Sequence, residues 1–175
     1  MPRFALPLFV SLVGLVLPAM AAGYTLIQER ESRTLELLVA LPVRVGQIVL
    51  AKLAAIVALA AGATLTLFTI DAAVVLARGI GSVAWVLGLL LVLLSALTFS
   101  TSAALLISLL AKDYRSSQNL TGAVVAPCVF LNIAVGVFVP GATLRLVVIA
   151  VFYAAGAAAA LAVALRVVTF ERLLR

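Results

Sequence analysis

The residues of this sequence that could do chemistry are few and far apart. Histidine is absent, which removes the usual general base, the commonest metal ligand and any Ser-His or Cys-His pair. Asp71 is the one acid embedded in an apolar segment, and Asn132 places an amide inside another. No Gly-x-x-x-x-Gly-Lys phosphate loop occurs. We therefore expect no catalytic residue, no metal site, no cofactor bound by this chain and no intramembrane hydrolytic or metal chemistry.

The elements that must position these residues are five apolar segments. Of the 175 residues, 66% are hydrophobic and 10% charged, with a mean hydropathy of +1.36. A soluble domain of this length needs more polar residues on its surface, so lipid must cover part of this one. We predict an all-α integral membrane protein with one domain over residues 1–175. Its spans are expected at about residues 5–27, 46–76, 83–111, 120–139 and 145–165.

The basic residues give these spans a direction. The net charge of +6 comes mostly from short segments beside apolar runs, where Lys and Arg set topology rather than bind nucleic acid. With the segment after the first span in the cytoplasm, three basic residues lie outside (Arg3, Arg78 and Arg145). The other nine then lie inside: Arg30, Arg33, Arg44, Lys52, Lys112, Arg115, Arg166, Arg172 and Arg175. This bias predicts an outside N-terminus and a cytoplasmic C-terminus.

The first segment has a second interpretation. Residues 1–22 resemble a secretory signal peptide, with Arg3, an apolar stretch and an Ala-Met-Ala end. Cleavage there would place residues 29–42 outside and invert the charge bias. The positive-inside rule therefore favours a retained first span.

The longest insert with polar residues, residues 28–46, is patterned as a short amphipathic helix. Ser32 or Thr34 can cap it, and Glu36 in the first turn suits the positive end of the helix dipole. Pro42 prevents the helix from continuing. The apolar residues gather toward one face: Leu35, Leu38, Val39 and Leu41. We predict a helix over about residues 33–41 at the cytoplasmic membrane surface, and a simple surface anchor remains an alternative.

The same insert resembles the cytoplasmic segment of type-2 ABC transporter permeases. That family carries Glu-x-Glu, a basic residue and Gly, then Thr-Leu-Glu, two Leu and a Pro, with a Lys near the start of the next helix. The matching residues here are Glu29, Glu31, Thr34, Leu35, Glu36, Leu37, Leu38, Pro42 and Lys52. The polar stretch 112–119, Pro127 in the fourth span and the Phe-Glu-Arg-Leu-Leu tail at 170–174 extend the resemblance over nearly the whole chain.

The resemblance implies the permease subunit of an ATP-driven exporter in a prokaryotic inner membrane. Two permeases, identical or related, would pair with two separate ATPase subunits that bind ATP and Mg²⁺. The helix at about 33–41 would be the coupling helix that receives the power stroke. Its expected ATPase contacts are Glu29, Glu31, Thr34, Leu35, Glu36, Leu38, Val39 and Pro42.

Asn132 and Asp71 are candidates for the translocation path. Asn132 is the better one, because its amide needs a partner in lipid. Asp71 lies about two turns before Arg78, so a partly solvated acid or an Asp71–Arg78 pair is favoured over a substrate contact. Eight hydroxyl residues could add a polar lining, although hydroxyls also bond to their own helix: Thr64, Thr66, Thr69, Ser95, Thr98, Ser100, Thr101 and Ser102.

Three features depart from the family pattern. Ser32-Arg33 stands where the family has a basic residue and Gly, and Pro140–Leu144 is too short for the outer re-entrant hairpin of many members. The family's usual six spans also leave one unaccounted for, which we expect to be the first. A non-transporting scaffold or assembly protein derived from a truncated permease is therefore the alternative to a transporter.

Overall fold

The computed structural model describes residues 9–16, 18–19, 45–111 and 114–167, and its regular structure there is helical. The helical residues at 9–16 and 18–19 are called α1. The four longer helices are α2 (Val45–Ala77), α3 (Val83–Leu110), α4 (Tyr114–Phe138) and α5 (Ala142–Val167). The prediction of an all-α membrane protein is confirmed.

Four of these helices are long and apolar enough to cross a bilayer. Their spanning portions are Val57–Ala77, Val83–Ile107, Arg115–Phe138 and Ala142–Val163. Each holds 21 to 25 residues, which at about 1.5 Å per residue covers the roughly 30 Å of a hydrocarbon core. Of the predicted first span at 5–27, the structure describes the part in α1.

Two helices are longer than the roughly 30 Å of a bilayer core requires. The fourth span was expected from about residue 120, whereas α4 begins at Tyr114, six residues earlier. Its added residues are polar, and a helix satisfies its backbone groups whatever its side chains are. The 33 residues of α2 reach about 50 Å, so this helix projects past the bilayer core or tilts strongly within it.

The turn between α2 and α3 is built on a left-handed glycine. Gly79 has φ +63°, and its amide donates to the Leu76 carbonyl at 3.1 Å. The next amide, that of Ile80, donates to the Val75 carbonyl at 3.0 Å. This pair of bonds is the Schellman arrangement that ends helices. Ser82 then starts α3, because its Oγ accepts the Trp85 amide at 3.3 Å.

Arg145 closes the turn between α4 and α5. The chain reverses at Pro140-Gly141, where Gly141 has φ +85°. The Arg145 Nε donates to the Val139 carbonyl at 2.7 Å. A cation beside the last carbonyls of a helix also suits the negative end of its dipole. This residue, counted at sequence level only as an outer charge, thus joins the end of α4 to the start of α5.

Among the described helices, the longest contact runs along α3 and α5, while α3 also touches α2 and α4. The two helices face each other with buried residues spaced three and four apart, the periodicity of one helix face. These are Val86, Leu89, Leu93 and Ala96 on α3, and Leu146, Ile149, Ala150 and Tyr153 on α5. In a bilayer such contacts depend on close packing rather than on expulsion of water.

Two glycines allow this close approach. A Cβ on Gly156 would lie 2.8 Å from two carbons of the Phe99 ring. A Cβ on Gly88 would lie 2.8 Å from Leu146 Cδ1. Small residues let transmembrane helices pack backbone to side chain in this way. Gly156 lies in the Ala-rich stretch 153–160 of α5. Its contact with Phe99 makes this part of the stretch a packing face.

We predict that Gly156→Ala destabilises the protein by about 1–3 kcal/mol, because its methyl group would overlap a ring that has little room to move. Gly122→Ala on α4 is the matched control, since nothing lies within 4 Å of a Cβ there. SDS titration of the purified protein measures both free energies of unfolding. Equal stability of the two variants would contradict the packing role of Gly156.

Candidate functional site

The predicted ATPase-coupling residues lie outside the described residues, as does the helix expected at about 33–41. They are Glu29, Glu31, Thr34, Leu35, Glu36, Leu38, Val39 and Pro42. The first described residues after them open α2 at Val45. Their role stays a prediction.

Asn132 lies at a buried polar node between α4 and α5. It is 2% exposed, and its Nδ2 donates to the Cys128 carbonyl at 2.8 Å and to the Tyr153 hydroxyl at 2.5 Å. The Ser11 side chain of α1 also hydrogen-bonds to Tyr153. Within the described chain, the Asn132 Oδ1 has no hydrogen-bond partner. The expectation that this amide needs a partner in lipid is met by Tyr153 and by its own helix.

Tyr153 is the residue that sequence reasoning missed. It is completely buried, and its ring packs against that of Phe99 at 5.5 Å between centroids. The available signal was a tyrosine inside an apolar run, because a buried phenol hydroxyl usually finds a partner. Through its hydroxyl and its ring, Tyr153 connects α5 with α1, α3 and α4.

Seven of the eight hydroxyl residues bond to the backbone of their own helix. On α2, Thr64 Oγ1 donates to the Ala60 carbonyl at 2.7 Å. The same pattern holds for Thr66, Thr69, Ser95, Thr98, Thr101 and Ser102. The exception is Ser100, whose Oγ donates to the Leu15 carbonyl of α1 at 2.6 Å. That bond ties α1 to α3.

Asp71 lies on the wall of a cavity of about 200 Å³ between α1, α2 and α3. Thr64 also lines this cavity, but its hydroxyl is engaged with its own helix. The remaining wall is apolar: Phe9, Val10 and Val13 of α1, Leu67 and Phe68 of α2, and Leu93 of α3. Asp71 is half-buried and Arg78 exposed, and among the described residues no ion pair joins them. This placement fits a partly solvated Asp71 carboxyl group better than an Asp71–Arg78 ion pair.

The structure does not bring Asp71 and Asn132 together. Asp71 faces the cavity with Val10, whereas the neighbouring Ser11 bonds to Tyr153 on the Asn132 side. The two candidates therefore meet different residues of α1. In the described ranges, no group of three or more His, Cys, Asp or Glu residues could hold a metal ion. The geometry of the described residues offers binding and packing surfaces.

The bundle of apolar helices, with one node of buried polar residues, defines a multi-pass integral membrane protein. The family model described as ABC-2 family transporter protein matches residues 3–149. The match covers most of the chain, so the protein belongs to the ABC-2 transporter family. Members of this family are membrane subunits of transporters and generally pair with a separate ABC ATPase subunit. No curated protein and no solved structure matches the chain.

We predict that Asn132 and Tyr153 are energetically coupled. In a double-mutant cycle of Asn132→Ala and Tyr153→Phe, the coupling should be about 0.6–1.7 kcal/mol, the range of interhelical hydrogen bonds in membranes. Free energies of unfolding in SDS titration give the four corners of the cycle. Additive effects of the two substitutions would show that the bond contributes nothing.

A matched pair of serines on α3 tests the link to α1. Ser100→Ala should cost about 0.6–1.7 kcal/mol, because it removes a bond between two helices. Ser102→Ala should be near neutral, since Ser102 bonds to the Thr98 carbonyl of its own helix. The same unfolding measurement compares them. A Ser102 effect as large as that of Ser100 would argue against an α1–α3 tie at this position.

Proposed function

We propose that this protein is the permease subunit of an ATP-driven exporter, which forms the translocation path and receives the power stroke from a separate ATPase. The observation that carries the proposal is the family match over residues 3–149. That range includes the motif at 29–42 and the three helices α2 to α4 in full. The surrounding complex would hold two ATPase subunits and a second permease, identical or related, with ATP and Mg²⁺ on the ATPases.

Helix α2 is suited to carry movement into the membrane. It begins at Val45, three residues after Pro42, and runs without interruption to Ala77. Its 33 residues reach about 50 Å, roughly 20 Å more than the hydrocarbon core of a bilayer. A rigid rod with one end outside the lipid converts a push on that end into a tilt of the span. A coupling helix at 33–41 would supply that push.

The charge asymmetry indicates how the chain is oriented in the membrane. With nine basic residues inside and three outside, the coupling segment and the C-terminus lie in the cytoplasm, where ATP is available. The N-terminus lies outside. This orientation, in a prokaryotic inner membrane, places the coupling segment on the same side as the ATPases it would meet.

A path past Asn132 requires a different conformation from the one described. Asn132 and Tyr153 are almost fully buried, and their side chains bond to each other. We propose that separation of α4 from α5 exposes the Asn132 amide during transport. The contact between these two helices is slight beside that of α3 with α5, so it is the weaker seam of the bundle.

The experiment disrupts the proposed coupling helix in a complex of this permease with a separate ABC ATPase subunit. Leu38→Pro breaks a helix, and Glu36→Lys reverses a charge in its first turn. We expect transport to fall roughly tenfold or more, while the ATPase alone keeps its turnover. Leu38→Ile is the matched control and should transport normally.

Co-purification of the ATPase with each variant is measured in parallel. Reduced association or uncoupled ATP hydrolysis would support the proposal. If Leu38→Pro retains both association and transport, residues 33–41 are not the coupling element. If the intact chain moves no substrate with any ATPase, the scaffold alternative replaces the exporter.

A further inference from the structure

The cavity beside Asp71 combines one carboxyl group with an apolar wall. The packing of the helices does not account for this carboxyl group. Asp71 is the one carboxylic acid among the described residues, and it lines a space that is otherwise almost wholly apolar. Within the described chain, no cation and no hydrogen-bond donor pairs with this carboxyl group. A charge kept in such surroundings is costly unless it meets an opposite charge.

The cavity opens at the side of the helix bundle. Phe9 and Leu67, which stand on opposite sides of it, are 56% and 50% exposed. In a bilayer, those faces meet lipid. Asp71 lies six residues before the end of α2, about 9 Å below it along the helix axis. A compound that is dissolved in the outer part of the membrane could therefore enter with its polar end near the interface.

The size of the space limits what it accepts. A cavity of about 200 Å³ is smaller than most sites for drug-sized molecules, which begin near ~300 Å³. An apolar cavity of about 150 Å³ is known to take up benzene. Phe9 and Phe68 also line the cavity, and aromatic rings can attract cations. The space thus suits one aromatic ring with a small cationic group attached.

We propose that the Asp71 cavity is a binding site for small aromatic ammonium compounds. The ammonium group pairs with the Asp71 carboxylate, and the ring occupies the apolar wall formed by Val10, Val13 and Phe68. Binding of this kind needs neither the ATPase nor transport, so it holds or fails independently of the exporter function.

The probe is radiolabelled benzyltrimethylammonium, and the protein is the full chain in phosphatidylcholine nanodiscs. Equilibrium dialysis against empty nanodiscs corrects for partition into lipid. Neopentylbenzene, with carbon in place of nitrogen, is the uncharged competitor of the same shape. We expect saturable binding, at one molecule per chain, that this competitor displaces poorly.

Three variants locate the site. Asp71→Asn keeps the size of the side chain but removes its charge and should weaken binding roughly tenfold or more. Val13→Phe fills the cavity and should have a similar effect. Val147→Phe adds the same bulk on the exposed face of α5 and should bind as the wild type does.

Weakened binding in the first two variants, with normal binding in the third, supports the site. Wild-type affinity in Asp71→Asn would overturn it, as would equal competition by neopentylbenzene, which would indicate a space for lipid chains. Absence of saturable binding above that of empty nanodiscs would also overturn it. The α-helix content of each variant, measured by circular dichroism, shows whether a loss of binding reflects a loss of fold.

Discussion

Close packing of α3 against α5 is the interaction on which the rest of the structure depends. Among the described helices it is the most extensive contact, and it brings Phe99 over Gly156 and Leu146 over Gly88. Every other described element is placed relative to this pair: α1 packs on Leu93 and Ala96 through Gly14, and α4 reaches it through the Asn132–Tyr153 bond. Lipid covers apolar surface as favourably as a neighbouring helix does. The helix bundle is therefore stabilised where helix backbones approach most closely.

The sequence predicted the helices well and their partners poorly. Hydropathy and charge located α2 and α3 to within a residue, since an apolar run bounded by charges or turns has few other solutions in a bilayer. The start of α4 was predicted six residues too late. Hydropathy indicates where the lipid core begins, whereas the helix begins in the polar segment before it. Pairing of α3 with α5 was not predicted, since nearly all their side chains are apolar and every face looks alike.

For the candidate site as well, the sequence predicted the polar residues but not their partners. That Asn132 must bond to something was predictable from the cost of a bare amide in lipid, but the identity of Tyr153 depends on how α4 and α5 are turned. The sequence suggested one path for Asp71 and Asn132, whereas in the structure Asp71 lines a cavity with Val10 and Asn132 bonds to Tyr153. The resulting separation assigns Asn132 to the helix seam and Asp71 to a cavity at the bundle's side.

The most direct test of this architecture is a disulfide across the α3–α5 contact. A Cβ on Gly88 would lie 3.9 Å from Leu146 Cβ, a separation typical of disulfides. With the lone native cysteine removed by Cys128→Ala, the pair Gly88→Cys and Leu146→Cys is oxidised in membranes and then tagged with maleimide–polyethylene glycol in SDS. Loss of tagging at monomer mass, reversed by reductant, is the predicted result, while Gly122→Cys with Leu146→Cys stays fully tagged. Full tagging of both pairs, or a bond that doubles the mass, would contradict the α3–α5 packing.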